Sequence, residues 1–204
     1  MKQAVRMSQN NLYPIFLKLE NMQTLLVGAG NVGLEKLTAF LKSSPKSNVT
    51  IVADYVCDEV AELVDKNEHL RLIRRKFFTN DLEGKDLLIL ATDDYELHKR
   101  VKKIAKEKHI LTNVADTPDL CDFYLGSVVQ KGDLKIGIST NGKSPTFAKR
   151  FREYLEDFLP DSLQDLVDNL HEFRNSLKGD FQFKVDALND LTTSIMSKKT
   201  DSVK

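Results

Sequence analysis

Through the first half of the chain, short apolar runs alternate with longer stretches whose apolar residues recur every three or four positions. Gln23–Gly28 (QTLLVG) is a compact apolar run closed by glycine, the pattern of a strand buried on both faces. From Asn31 to Ser44, the residues Val32, Leu34, Leu37, Phe40 and Leu41 fall at helical spacing. Asn48–Ala53 is β-branched and predicts a second strand, and Asp58–Lys66 a second helix. Leu70–Ile73 and Asp86–Ala91 predict two further strands, Glu96–Lys108 an amphipathic helix, and His109–Val114 a fifth strand. Such alternation implies right-handed βαβ crossovers and a parallel sheet, hence a small doubly wound α/β domain over residues 1–115.

The rhythm then changes. Phe123–Gln130 and Leu134–Ser139 are extended, and Lys131-Gly132-Asp133 makes a turn between them, so a β-hairpin is expected within residues 116–145. Residues 146–204 read as a small helical domain. Ser144 is placed as an N-cap with Pro145 at the first helical position. Leu159-Pro160-Asp161 breaks that helix, and Asp161 with Gln164 is expected to form a capping box for the next. Gly179 breaks the chain again before a last helix over Phe181–Met196. Residues 1–12 and the tail KKTDSVK are polar and expected to be loose.

Composition narrows the class. Thirty Lys and Arg balance thirty Asp and Glu, and 41% of residues are hydrophobic, which argues against a basic nucleic-acid binder and an acidic disordered chain. Cys57 and Cys121 make neither a zinc spacing nor a disulfide framework, as expected of a cytoplasmic protein. The longest apolar run, Leu87–Ala91, is far below the ~20 residues of a membrane helix. The N-terminus carries no signal-like apolar stretch. His98, His109 and His171 stand apart and His69 neighbours only Glu68, so no protein metal cage is expected.

Three places carry candidate chemistry. Gly28-Ala29-Gly30-Asn31-Val32-Gly33 is a full G-x-G-x-x-G between a predicted strand and a predicted helix. Its glycines allow a tight turn, approach of a pyrophosphate and close helix–strand packing, while the helix N-terminus faces the phosphates. Asp54, just past the second predicted strand, is placed to accept from a ribose 2′-OH and repel a 2′-phosphate, which favours NAD over NADP. The plainer alternative is a glycine turn serving packing alone, with Asp54 capping a helix. Thr92 follows the fourth strand and is a candidate for the cofactor pocket, whereas Asp93 or Asp94 reads better as a helix cap.

Asp116, closing Asn113-Val114-Ala115-Asp116, ends the fifth strand on the same edge. It is either a general base or part of an Asx-turn before Pro118, and Asp119 and Asp122 share its loop. From Leu134 to Arg152 there are five cations (Lys135, Lys143, Lys149, Arg150 and Arg152) and no acid. Within that stretch Ser139-Thr140-Asn141-Gly142-Lys143-Ser144-Pro145 is a hydroxyl-rich loop entering a helix, an anion site for a polyanionic small molecule. A solvated charged helix face is the alternative for Lys149–Arg152.

Leu12-Tyr13-Pro14-Ile15-Phe16-Leu17, followed by VGAGNVGLEK, LATDD, NVAD and STNGKSP, resembles the precorrin-2 dehydrogenase/sirohydrochlorin ferrochelatase family, the N-terminal module of siroheme synthases. The resemblance covers about Leu12 to Leu159. It implies a Rossmann-like domain, a dimerisation hairpin and a helical domain in a homodimer. The implied reaction is NAD⁺-dependent oxidation of precorrin-2, which bears eight carboxylates, to sirohydrochlorin; some members then insert Fe²⁺ as a substrate to give siroheme. By this resemblance Asp116 aligns with the family's key aspartate. Asn31, Val32, Asp54 and Tyr55 fall at its NAD contacts. Thr140 matches a serine position in the family's hydroxyl-rich loop and is a substrate-side candidate; Ser139, Asn141, Lys143, Ser144, Lys149 and Arg150 join it as substrate-side candidates from the loop and cation reading above. Ala53-Asp54-Tyr55 departs from the common A-P-E-like turn, Gly33 replaces a frequent alanine, and Ala115 a more usual valine. A different class, a non-catalytic NAD-sensing regulatory module, shares Gly28–Gly33 and Asp54 but does not need Asp116 beside a cationic loop.

Overall fold

The computed structural model describes residues 10–196, so the readings of residues 1–9 and of the KKTDSVK tail lie outside the described residues. Five strands, β1 (Gln23–Ala29), β2 (Asn48–Val56), β3 (Leu70–Arg74), β4 (Leu87–Leu90) and β5 (Leu111–Val114), form one parallel sheet in the order β3-β2-β1-β4-β5. The order runs outward from β1 in one direction and then, after β3, resumes on its other side at β4. A crevice therefore opens where the carboxyl ends of β1 and β4 diverge. The α/β class read from the alternation is the one observed.

Alternate strand residues enter opposite layers. Leu26, Ile51, Leu87 and Ile89 pack in one cluster with Leu37 and Phe40 of α1 (Asn31–Ser43) and Val60 of α2 (Asp58–Asp65). Leu25, Val27, Val52, Leu88 and Leu90 pack in the other with Val101 and Ala105 of α3 (Tyr95–Glu107). All four β4 residues are buried, which explains an uninterrupted apolar run on an interior strand of the sheet. Among the described residues no helix is long and apolar enough to cross a membrane.

Some expected boundaries and contacts shift. His109 and Ile110 do not begin β5. His109 takes φ 59° and Ile110 N–H donates to Ala105 O at 2.9 Å, so both residues close the end of α3. Phe123 and Leu125 pack against the first core cluster instead of extending the hairpin, whose strands are β6 (Ser127–Lys131) and β7 (Leu134–Ile138). The Asp161–Gln164 capping box does not form. Asp161 pairs with Lys131 at 2.7 Å, and Gln164 Oε1 accepts from Asp133 N–H at 2.7 Å, tying the hairpin turn to α5 (Leu163–Ser176).

Two compact units result. Residues up to Ser127 with Gly137–Ala148 form the first, and Val128–Ile136 with the chain from Lys149 onward the second. The hairpin and α4 (Pro145–Phe158) both carry the chain from one to the other. The second unit also holds α6 (Phe181–Met196), and its α5 has no fully buried residue.

Candidate dinucleotide and carboxylate site

The three glycines of the turn after β1 do different work. Gly28 has φ +103°, and a Cβ there would lie 2.3 Å from Ala91 O. A Cβ on Gly33 would lie 2.3 Å from Gly28 O, so α1 approaches the turn too closely for any side chain. Both are demanded by packing. Gly30 is not: its φ −86° and ψ −162° suit any residue, and a Cβ would find nothing nearer than Tyr55 Cε1 at 4.0 Å. The protein leaves this space open beside the N-terminus of α1, where no side chain caps the first turn. Free N–H groups, a positive dipole end and backbone access fit a pyrophosphate. The residues present therefore fit a dinucleotide.

The neighbouring strand ends complete one edge. Asp54 and Tyr55 are exposed and lie within β2, which runs three residues further than expected to Val56 after a bulge opposite Val27–Ala29. Asp54 Oδ1 accepts from the Tyr55 N–H at 3.1 Å, a local contact that leaves the carboxylate at the surface. Thr92 follows β4 after Ala91, half-buried, with Oγ1 2.9 Å from His98 Nε2. Asp94 caps α3 by accepting from Leu97 N–H at 2.8 Å, as read from the sequence.

Asp116 stands just past β5, exposed and at φ 54°. Aspartate tolerates the left-handed region better than most residues, and strain there is a pointer to function. An Asx-turn before Pro118 does not form, because proline has no N–H to offer; instead Thr117 N–H closes the turn on Val114 O at 3.3 Å. Among the described residues the Asp116 carboxylate has no hydrogen bond or ion pair. Its rivals differ: Asp122 is held by Lys102 and by the Thr112 N–H at 2.9 Å, while Asp119 sits exposed in a 3-10 turn, Pro118–Leu120. Cys121 braces the Asp116 turn. Its Sγ accepts from Val114 N–H at 3.2 Å and lies 3.2 Å from Val114 O and 3.4 Å from Thr117 O. Burial pushes the thiol's pKa up, so it stays protonated and can donate to those carbonyls.

The sheet thus brings Asp54, Tyr55, Gly28–Gly33, Thr92 and Asp116 to the carboxyl ends of four adjacent strands. Ser139–Ser144 belong to the same compact unit, while Lys149 and Arg150 belong to the second. The loop's hydroxyls hold it together. Thr140 Oγ1 accepts from Ser144 N–H at 3.1 Å, and Ser144 Oγ from Phe147 N–H at 3.2 Å, the expected cap of α4. Ser139 Oγ accepts from Asn141 N–H at 3.2 Å and Asn141 takes φ 54°. Lys143, Lys149 and Arg150 are exposed, and Arg152 pairs with Glu156 and Glu153 just beyond the acid-free window. His98 and Cys121 are the polar groups whose place the sequence did not reveal. His98 shares one α3 face with Val101 and Ala105, a spacing that marks it as buried.

A parallel sheet with a glycine turn at its switch point and an uncapped helix beside it defines a dinucleotide-binding α/β module. Comparison with known proteins agrees. The family model described as "Putative NAD(P)-binding" matches residues 15–127, and that described as "Sirohaem biosynthesis protein central" matches residues 131–157. A siroheme synthase of Vesicomyosocius okutanii is 36% identical over 171 residues, and one of Pseudoalteromonas atlantica 34% over 169. These alignments cover 84% and 83% of this chain but only 36% of each relative, so the chain spans about a third of their length. A solved structure, SirC, precorrin-2 dehydrogenase, superposes with a TM-score of 0.68 at 26% identity, covering 92% of this chain and 90% of the other. The chain belongs to the family that the NAD(P)-binding model describes, which matches more than half of it, as its motifs indicated. The cofactor class that follows is a nicotinamide dinucleotide.

Proposed function

We propose that the chain is an NAD-dependent dehydrogenase that oxidises precorrin-2 to sirohydrochlorin. The observation that carries this is the exposed, unpaired Asp116 carboxylate, held at a left-handed turn on the sheet edge that also carries the open glycine turn. The relatives' names point to the same chemistry. The oxidation removes one hydride and one proton from carbon and nitrogen of the macrocycle. The dinucleotide, when bound, supplies the hydride acceptor. Asp116 takes the proton, for which its carboxylate must come within ~3 Å of the donor. Lys143, with the loop of Ser139, Thr140, Asn141 and Ser144 at the start of α4, supplies charge and polar side chains for the substrate's carboxylates.

Asp54 favours NAD, since its carboxylate at the end of β2 repels a 2′-phosphate. Asp54→Asn is expected to narrow the preference for NAD⁺ over NADP⁺; an unchanged ratio removes that assignment. Fe²⁺ insertion, if performed, uses the macrocycle's own nitrogens, so Fe²⁺ enters as substrate. A rate above background with sirohydrochlorin and Fe²⁺ supports it. The oxidation itself is tested anaerobically with purified protein, NAD⁺ and precorrin-2: growth of the sirohydrochlorin spectrum with NADH supports the reading. A folded protein that binds NADH but leaves precorrin-2 unchanged replaces it with a dinucleotide sensor.

A further inference from the structure

Behind the glycine turn lies a polar contact to which the proposed reaction assigns no part. Thr92 Oγ1 and His98 Nε2 are 2.9 Å apart, and His98 is only 3% exposed. The ring is delivered from a fixed first turn: Asp94 caps α3, and His98 N–H donates to Asp94 O at 3.0 Å. Burial lowers the imidazole's pKa against the opposing pull of Asp94 and Asp93, so the ring is neutral and offers one donor and one acceptor. With its hydroxyl engaged by the ring, Thr92 turns its methyl the other way. A Cβ on Gly28 would come within 3.0 Å of Thr92 Cγ2, so that methyl lies on the glycine turn. Rotating χ1 to another staggered well would move the methyl or put the hydroxyl in its place.

Resting on the dinucleotide reading above, we propose that His98 is a positioning residue for the dinucleotide: it locks Thr92 so that the threonine methyl, not the hydroxyl, lies on the glycine turn at the β1–β4 switch point. The methyl gives the turn an apolar neighbour that holds no water against the phosphate cradle. The polar contacts of the pyrophosphate are then left to the N–H groups of the turn and of α1. A histidine serving only as a satisfied buried group would act on stability and not on this surface.

The test is NADH affinity by isothermal titration, with melting temperature measured alongside, on the full chain. His98→Leu is expected to weaken NADH binding about tenfold by releasing Thr92. Adding Thr92→Val should bring affinity back to within about threefold of wild type, because valine presents a methyl in either orientation. Thr92→Ser keeps the hydroxyl for His98 but lacks the methyl, and is expected to weaken binding with little change in melting temperature. That variant keeps the proposal testable should His98→Leu not fold. Wild-type affinity in Thr92→Ser, or a folded His98→Leu variant that binds like wild type or gains nothing from Thr92→Val, overturns the proposal. Failure of the wild-type chain to bind NADH overturns instead the dinucleotide reading beneath it.

Discussion

A glycine can be required by the protein or by its ligand, and the turn after β1 contains both kinds. Gly28→Ala forces a left-handed φ on alanine and drives its Cβ against Ala91 O, so it should cost stability, on the order of 1–3 kcal/mol. Gly30→Ala meets no protein atom closer than 4.0 Å. It should lower the melting temperature little while weakening NADH binding, because the added methyl occupies the space kept for a phosphate. Thermal melts and titrations of the two variants check this, and a Gly30→Ala protein with unchanged affinity counts against the cradle. The sequence showed the G-x-G-x-x-G but not this division of labour, which depends on how close Ala91 and Gly28 carbonyls approach. Asp116 was legible as a strand-end carboxylate; its left-handed backbone and its brace, Cys121, were not, because both depend on how the chain folds back after Pro118.

Elements were legible wherever local patterning decided them. The run LLIL had to be an interior strand because all four side chains are apolar, and it is β4, flanked by β1 and β5. Boundaries failed where tertiary contacts recruited the end residues, as when Ile110 closed α3 and Gln164 left its own helix end to hold the hairpin turn. A similar capture holds the 3-10 turn Thr79–Leu82, whose Asp81 receives both Arg75 guanidinium nitrogens, at 2.6 and 2.8 Å, and the Phe78 N–H at 2.9 Å. Arg75 chiefly holds the Asp81 pKa below the ordinary carboxylate range. The sign follows: the unfolded chain takes up this proton at a higher pH than the folded one, so the contribution is present above the unfolded value and lost as pH falls through the folded value. Melting curves from pH 6 downward should therefore fall less steeply for Asp81→Asn than for wild type. Parallel slopes would show that the pair does not couple to folding.

At the scale of the molecule, the second unit is short of a core. No residue of α5 is buried, a lone two-stranded hairpin is marginal by itself, and Tyr154, Phe158, Phe181 and Phe183 are each more than half exposed. The family resemblance implies a homodimer, and we propose that a second copy of the chain covers these aromatics. Sedimentation at micromolar concentration should then show a dimer, and Phe158→Asp should shift it toward monomer; a monomeric wild-type protein contradicts the proposal. The hairpin and helices were legible as elements, but an incomplete core appears only once the burial of each face is known.

In the proposed reaction a carboxylate and a dinucleotide act on one substrate at the carboxyl edge of this sheet. Wild type and Asp116→Asn, compared for both NADH binding and anaerobic turnover of precorrin-2, test this. The variant should bind NADH as wild type does and oxidise precorrin-2 about 10²- to 10⁴-fold more slowly. An Asp116→Asn protein that turns over at nearly the wild-type rate contradicts the account.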